Sequence, residues 1–208
     1  LTGLKGDGAR DAELDELTYM IESGSDRIGA LDFQASATDY AAREPTNATL
    51  AELSEASERV EKGVPLTPAL DRALYHGSSI GGARPKALLE SDTQKYIAKF
   101  SATNDTYSVV KGEFVAMRLA KLCDLNVAAV ELTAASGKDV LLVERFDRVH
   151  SAAGWQRRAM VSALTLFELD ELMARHASYH ELADKVRANF TAPRDTLREL
   201  FGRLVFNV

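Results

Sequence analysis

The pattern of apolar residues changes once along this chain, and that change limits the folds it can adopt. Up to about residue 148, short runs typical of strands alternate with helical periodicities, whereas from Arg158 onward the spacing is helical throughout. This order predicts an α+β fold, in which a mixed portion that contains a sheet is followed by an all-helical portion. We expect the division between the two portions after residue 148.

Local signals predict the individual elements. Residues 109–124 have the spacing of an amphipathic helix, with Val115, Leu119 and Leu122 on one apolar stripe. The Ser136-Gly137 dipeptide indicates a tight turn between two strands. Further helices are predicted at 8–22, 49–61, 161–175, 178–190 and 193–207, strands at 28–33, 94–100, 128–133 and 138–146, and a loop at 36–48.

The composition narrows the classes of function. A net charge of −6 provides no broad positive footprint, which argues against direct binding of nucleic acid. No apolar run reaches the roughly 20 residues of a membrane span. The single cysteine, Cys123, lies among leucines and is expected to be a buried thiol in a reducing compartment. We therefore expect a cytoplasmic protein that does not associate with membranes.

The histidines predict no metal site. His176 and His180 are four residues apart, but the residues between them are expected to break the helix. No HExxH pattern is present.

The segment from His76 to Lys86 has the composition of a ligand-binding turn. Gly77, Gly81 and Gly82 let the backbone turn tightly and approach a ligand closely, because they have no Cβ. Consecutive exposed N–H groups in such a turn can hold phosphate oxygens, and Lys86 adds a positive charge. The spacing matches neither a P-loop nor the dinucleotide fingerprint, so a plain flexible turn stays open as an alternative.

Lys99 lies in the alternating run from Tyr96 to Phe100, on a strand that follows the glycine-rich segment. Kinases hold the α- and β-phosphates of ATP with a strand lysine in such a position. A carboxylate on the next helix, here Glu113, would orient the ammonium group and keep it charged. The alternative is an ordinary strand lysine that faces solvent.

Residues 144–148 read Glu-Arg-Phe-Asp-Arg and follow an apolar strand at the end of the mixed portion. Extended backbone at such a hinge can offer N–H and C=O groups to the edge of an adenine ring. Asp147 with Arg145 or Arg148 can equally form a structural salt bridge. Both interpretations stay open.

Taken together, three segments resemble the HipA family, the toxin kinases of bacterial toxin–antitoxin modules. The order and approximate spacing of the segments match that family, and shorter likenesses extend the resemblance over nearly the whole chain. The three segments are the runs Ser79 to Lys86, Tyr96 to Phe100 and Val143 to Arg148, and the shorter likenesses lie at 24–31, 162–166 and 178–183.

The resemblance implies a two-lobed fold like that of protein kinases and phosphoinositide kinases. Its mixed N-lobe would cover 1–148, and the beginning of its helical C-lobe would cover 149–208. Within the N-lobe the resemblance implies an N-terminal subdomain over 1–68 and an ATP-binding core over 69–148.

The same resemblance implies roles for individual residues. Ser79 would be an autophosphorylated loop serine whose modification inactivates the enzyme, and Glu113 would orient Lys99. The residues implied for ATP binding are Gly81, Gly82, Ala83, Arg84, Lys86, Lys99, Glu144, Arg145 and Phe146.

The implied activity is transfer of the γ-phosphate of ATP to protein serine, with ATP and Mg²⁺ as cofactors. Protein substrates in the family include aminoacyl-tRNA synthetases. The implied partner is a small helix-turn-helix antitoxin, through which DNA would be contacted only indirectly.

Two features depart from the family pattern. Arg84-Pro85 stand where relatives often have Gln-Glu. The catalytic and magnesium-binding aspartates of the family are expected beyond Val208, so no catalytic residue is predicted within this span, and these residues alone are expected not to phosphorylate a substrate. The alternative hypothesis is a non-catalytic domain of the same fold that binds nucleotide or an antitoxin.

Overall fold

A computed structural model of the chain describes residues 16–22, 24–43, 48–68, 70–71, 86–102 and 105–208. The chain divides into two compact units. The first is Leu1–Val115 with Ala128–Ala159, and the second is Ala116–Val127 with Met160–Val208. The lobe boundary after residue 148 stays a prediction.

The first unit is built on a four-stranded antiparallel sheet with the order β1-β2-β4-β3. Ser136 and Gly137 close the β3–β4 hairpin with φ values of 52° and 76°, the two positive values that a type I′ turn requires. The predicted turn and its two flanking strands are therefore confirmed. The strands are β1 (Lys86–Glu90), β2 (Lys95–Phe100), β3 (Val130–Ala135) and β4 (Lys138–Glu144).

One face of the sheet packs against a helix and forms the core of the first unit. After the short helix α1 (Glu16–Glu22), helix α2 (Leu50–Glu61) begins at a capping box, in which the Thr49 side chain and the Glu52 carboxylate each bond the other residue's backbone N–H. The helix prediction for 49–61 is confirmed. Leu53 of α2 is buried together with sheet residues Ala87, Ala98, Phe100, Ala135 and Val140.

Helix α3 (Val109–Leu122) confirms the helix prediction for 109–124 and buries Val110. Its predicted apolar stripe is not part of a core, because Val115, Leu119 and Leu122 are 53%, 50% and 77% exposed. The prediction that Cys123 is a buried thiol is wrong. This residue lies in the turn that ends the helix, and its side chain is exposed.

The strand predicted at 28–33 is wrong, because residues 24–43 contain neither strand nor helix. Gly29 has a φ of 77°, which a strand does not allow. Its N–H donates to the Asp147 carboxylate at 2.8 Å, and its carbonyl accepts from Arg148 at 2.8 Å. Side chains distant in sequence therefore take the place of a strand partner.

A second, two-stranded sheet completes the first unit. Its strands β5 (Arg148–Ser151) and β6 (Gly154–Arg157) form an antiparallel hairpin. These strands were not predicted from the sequence, although they follow directly on the segment 144–148. The loop prediction is confirmed over 36–43, and residues 44–47 lie outside the described part.

The second unit is helical, as predicted, but its first helix is shorter than expected. Glu168 has a φ of 57°, which ends a short helix, and Asp170 caps the 3₁₀ helix Glu171–His176 that follows. The predictions for 178–190 and 193–207 are confirmed. The α-helices are α4 (Ala163–Phe167), α5 (Tyr179–Asn189) and α6 (Pro193–Phe206). No helix in the described ranges is long and apolar enough to cross a membrane.

Candidate functional site

Two lysines lie side by side on the face of the sheet opposite α2. Lys86 on β1 is directly paired with Lys99 on β2, so both side chains point to the same face. Their neighbours in sequence, Ala87 and Ala98, point to the α2 core. Two ammonium groups on adjacent strands concentrate positive charge at one position on the sheet.

Glu113 of α3 forms an ion pair with Lys99, and the two side chains are 36% and 27% exposed. Burial lowers the pKa of Lys86, the charge of Lys99 lowers it further, and the charge of Glu113 only partly opposes these effects. An anion placed here would relieve the repulsion between the two ammonium groups.

An apolar shelf adjoins the two lysines on the same face. It consists of four half-buried side chains, one on each strand, that are directly paired with one another across the sheet. Each lies two residues along its strand from the row that contains Lys86, Lys99 and the residues paired with them on β4 and β3. A register shift of one residue would move all of them to the α2 face, so the shelf depends on the observed pairing. Its members are Leu88, Ile97, Val143 and Val130.

Polar residues close the far end of the shelf. Glu90 and Lys95 are the next pair along β1 and β2 and form a salt bridge of 2.7 Å. The indole N–H of Trp155 on β6 donates to Glu90 at 2.7 Å, and the Lys95 ammonium lies 5.3 Å from the centre of the Trp155 ring.

A largely buried charge cluster surrounds the connector, residues 145–147, which leaves the end of β4. The Asp147 side chain is only 1% exposed. One of its carboxylate oxygens accepts from Arg145 at 2.8 Å, from Arg148 at 2.7 Å and from the Gly29 N–H at 2.8 Å. The cluster comprises Asp26, Lys95, Arg145, Asp147 and Arg148.

Burial alone would raise the pKa of Asp147. The hydrogen bonds and charge of Arg145, the Gly29 N–H and the charge of Arg148 more than offset burial, and they hold this pKa below its ordinary value. The salt-bridge interpretation of residues 145–148 is therefore what the structure shows for these side chains.

The three residues predicted to contact adenine, Glu144, Arg145 and Phe146, lie in different environments. The N–H groups of Glu144 and Arg145 already donate to the carbonyls of Ala129 and Lys95, at 2.9 Å and 2.8 Å. The Arg145 side chain is buried in the charge cluster, whereas Phe146 is 57% exposed.

The Glu144 side chain belongs to the α2 face, since Glu144 is paired with Tyr96. Burial raises the pKa of Tyr96, and the charges of Glu144 and Glu131 raise it further. An adenine contact by Glu144 would therefore use its backbone carbonyl, because its N–H already donates to Ala129, and that contact stays a prediction.

Five of the predicted site residues, all in the glycine-rich loop, lie outside the described part of the chain. They are Ser79, Gly81, Gly82, Ala83 and Arg84.

The described site brings Lys99 and Glu113 together, as the strand-lysine interpretation requires, and pairs Lys86 with Lys99 on the neighbouring strand. Sequence reasoning missed the shelf and the part of Asp26 in the charge cluster. The alternating run of β2 put Ile97 on the same face as Lys99, but only the strand register shows that four strands contribute to one surface. No signal near Asp26 pointed to a partner more than 100 residues away.

The arrangement offers a positive end for an anion and a flat apolar surface for a planar group. For a divalent cation the described residues do not provide a site, because no group of three or more His, Cys, Asp or Glu side chains is placed to hold a metal ion within the described ranges. We assign no step to a metal on these residues.

Comparison with known families gives one match. The family model described as HipA-like C-terminal domain matches residues 78–208, which is more than half of the chain. No curated protein matches the chain.

A solved structure has a similar fold. It is HipA of Shewanella oneidensis MR-1, from a complex of the toxin–antitoxin system HipA, HipB and its operator DNA. The TM-score is 0.58 at 21% sequence identity, and the similarity covers 93% of this chain and 55% of that chain. This chain therefore spans about half the length of the solved HipA chain, and at this identity the likeness concerns the fold alone.

Proposed function

The chain belongs to the family of HipA-like C-terminal domains, and from that membership we propose that it carries the nucleotide-holding part of an ATP-dependent serine/threonine protein kinase. The observation that supports this best is the pair Lys86 and Lys99, with Glu113, at one end of the apolar shelf. A nucleoside triphosphate has the matching chemistry, since it joins a polyanion to a planar base.

The dimensions of the sheet support this assignment. Alternate residues on a strand lie about 7 Å apart, so the shelf begins that far from the lysine pair. The base would lie on the shelf, and Lys99, oriented by Glu113, would hold the α- and β-phosphates. Lys86 would add charge at the phosphate end.

Further parts of the proposal concern the loop and the connector. Ser79 would be autophosphorylated, and this modification would inactivate the kinase. Gly81, Gly82, Ala83 and Arg84 would contact the phosphates, and backbone at residues 144–146 would contact the adenine. ATP would carry Mg²⁺, which neutralises charge during phosphoryl transfer.

The proposed protein substrate is an aminoacyl-tRNA synthetase, and the proposed partner is a helix-turn-helix antitoxin that contacts DNA. The similar chain from Shewanella oneidensis MR-1 was solved with HipB and operator DNA, which favours an antitoxin as partner. We place the protein in the cytoplasm, where ATP and these partners occur.

Binding of ATP with Mg²⁺ tests the nucleotide site. We expect ATP to stabilise the protein by about 2.7 kcal/mol at a hundredfold excess over its dissociation constant, because a ligand of the native state shifts unfolding by mass action. Lys99→Met should weaken binding at least tenfold. Isothermal titration and thermal unfolding both measure this.

Lys138→Met is the matched control. Lys138 also lies on a strand of the sheet and also pairs with a glutamate, Glu58, at 3.5 Å, but it belongs to the α2 face. This variant should bind ATP as the unmodified protein does. Absence of ATP binding by the unmodified protein, or equal losses in the two variants, would contradict the proposed site.

Phosphate transfer separates a kinase from a non-catalytic nucleotide-binding domain. In a longer protein that carries the predicted catalytic aspartates, a kinase should gain the mass of one phosphate at Ser79 when incubated with ATP and Mg²⁺, and Ser79→Ala should abolish this gain. Residues 1–208 alone should bind ATP without this gain. Binding without any phosphate gain by the longer protein would favour the non-catalytic alternative.

A further inference from the structure

The segment of residues 24–43, which we call the N-terminal strap, is a closed loop. The Ser25 N–H donates to the Arg43 carbonyl at 3.0 Å, and the Arg43 N–H donates to the Ser25 hydroxyl at 3.0 Å. Inside the loop, Arg43 forms a salt bridge of 2.9 Å with Asp32. The strap therefore has an internal structure although it contains no strand or helix.

The Asp26 carboxylate joins the strap to the rest of the first unit. One of its oxygens lies 3.1 Å from Arg145 and 2.9 Å from Arg148, and the other lies 3.1 Å from Lys95. The Asp26 side chain is 10% exposed, so solvent screens these contacts little. Loss of this carboxylate would leave cations largely buried with less compensation.

Backbone groups of the strap take up the remaining donors of the two arginines. Arg145 donates to the carbonyls of Asp26 and Arg27, at 3.2 Å and 3.1 Å. Arg148 donates to the carbonyl of Gly29 at 2.8 Å and to that of Arg27. The strap thus fixes the guanidinium groups of Arg145, the first residue of the connector, and of Arg148, which directly follows the connector.

We propose that the strap sets the conformation of the connector, and thereby the base end of the nucleotide site, with Asp26 as its positioning residue. Asp26 does not touch the shelf and would act only through Arg145, Arg148 and Lys95. The part of this proposal that concerns ligand rests on the proposed function, whereas the part that concerns the connector does not.

The coupling should be confined to one end of the site. Lys95 belongs to the charge cluster, its carbonyl accepts the Arg145 N–H, and it lies two residues from Ile97 of the shelf. Lys99, at the opposite end, is held by strand pairing and by Glu113. Release of the strap should therefore disturb contacts with a base and leave contacts with phosphates intact.

The test compares Asp26→Asn with Asp39→Asn in the full chain. Asp39 lies in the same strap, and within the described part of the chain its carboxylate accepts from Ser36 and Thr38 at the exposed surface, so this control removes an equal charge outside the cluster. Hydrogen exchange should accelerate in peptides that cover residues 144–149 in Asp26→Asn and should stay unchanged there in Asp39→Asn.

The affinities for two ligands then show whether Asp26→Asn disturbs the base end or the phosphate end of the site. Asp26→Asn should weaken ATP with Mg²⁺ by about tenfold, within the range usual for coupled sites. It should leave the affinity for inorganic tripolyphosphate with Mg²⁺ within about twofold, which is under 0.5 kcal/mol. A purely structural loss would weaken both ligands alike and would accelerate exchange throughout the first unit.

Each outcome decides a part of the proposal. Unchanged exchange at 144–149 in Asp26→Asn, or equal losses for both ligands, would overturn it. If the unmodified protein binds neither ligand, the proposed function fails, and exchange alone decides whether the strap holds the connector.

Arg148→Lys replaces Asp26→Asn if the latter does not fold. This variant keeps the positive charge but removes the forked contacts to Asp26, to the strap carbonyls and to Asp147 of the connector. The same exchange and ligand results are expected, and the same results would overturn the proposal.

Discussion

At the scale of single residues, Asp147 shows how a charge is kept in the interior of the first unit. Its carboxylate accepts from two guanidinium groups and one backbone N–H, so its negative charge is fully compensated. Such a group contributes little net stability relative to an apolar replacement, but removing its charge alone leaves arginines buried without their partner.

We predict that Asp147→Asn destabilises the first unit by about 3 kcal/mol, because the amide keeps the shape but turns a donor toward other donors. Urea denaturation followed by the fluorescence of Trp155, the only tryptophan, measures the loss. Asp139→Asn is the control, since its pair with Lys111 is a surface contact whose side chains are 31% and 55% exposed. A loss under about 1 kcal/mol in Asp147→Asn would contradict this prediction.

The low pKa of Asp147 fixes the direction of a pH effect. Because its pKa is lower in the folded than in the unfolded state, the ionised carboxylate stabilises the fold above the unfolded value of about 3.9. This contribution is lost as the pH falls through the lower folded-state pKa. The stability difference between the unmodified protein and Asp147→Asn should therefore shrink toward acid pH, and a constant difference would contradict this explanation.

At the scale of secondary-structure elements, two glycines differ in whether the backbone at their position requires glycine. Gly137 ends the β3–β4 turn with a φ of 76°, which side chains rarely adopt. Gly112 lies within α3, where a Cβ would meet only the Tyr107 ring, at an ordinary contact distance of 3.8 Å. Only the first position requires glycine.

We predict that Gly137→Ala destabilises the first unit by about 1 kcal/mol, through backbone strain alone, because apart from its two chain neighbours no described residue has an atom within 4 Å of the added methyl group. Gly112→Ala should stabilise it by about 0.5–1 kcal/mol, since alanine lowers the entropy cost of helix formation. Trp155 fluorescence in urea measures both changes. Shifts of the same sign would contradict this interpretation.

The elements that were predicted correctly are specified by residues that lie within them or next to them in the sequence. Helix α2 is preceded by Thr49 with Glu52 three residues later, and the β3–β4 turn contains a glycine at a position of positive φ. The strand predicted at 28–33 failed because the partners of Gly29 are Asp147 and Arg148, about 120 residues away. A local apolar run contains no information about such partners.

The candidate site also has a part that local sequence predicts and a part that it does not. The positions of Lys99 on a strand and Glu113 on the following helix were sufficient to predict that the two residues pair. The shelf depends on the register of four strands, which no local pattern specifies. Cys123 was misjudged because its leucine neighbours Leu119 and Leu122 are themselves exposed, and only Leu125 is buried.

At the scale of the whole molecule, the two units differ in the apolar residues that they bury. The first unit has a continuous core around Leu53, Phe100 and Val140. Among the described residues of the second unit, the buried apolar side chains are Ala120, Leu125 and Val186. A small buried apolar surface gives little stability against the entropy of unfolding.

We predict that the units unfold in two separate transitions. The helical signal in far-ultraviolet circular dichroism, to which the second unit contributes the larger share among the described residues, should begin to decrease at lower urea concentration than the Trp155 fluorescence of the first unit changes. Leu53→Ala should shift only the fluorescence transition, because Leu53 is buried in the core of the first unit. Coincident transitions from the two probes would contradict this prediction.

The contacts of Asp26 also impose an order on biosynthesis. A ribosome makes Asp26 long before Arg145, which lies 119 residues later. The four strands of the main sheet are complete at Glu144, so the sheet can assemble while Asp26 is still hydrated. Lys95 emerges together with the sheet, whereas Arg145 and Arg148 leave the exit tunnel only after β4, so the strap can complete its contacts only once all four strands have been made.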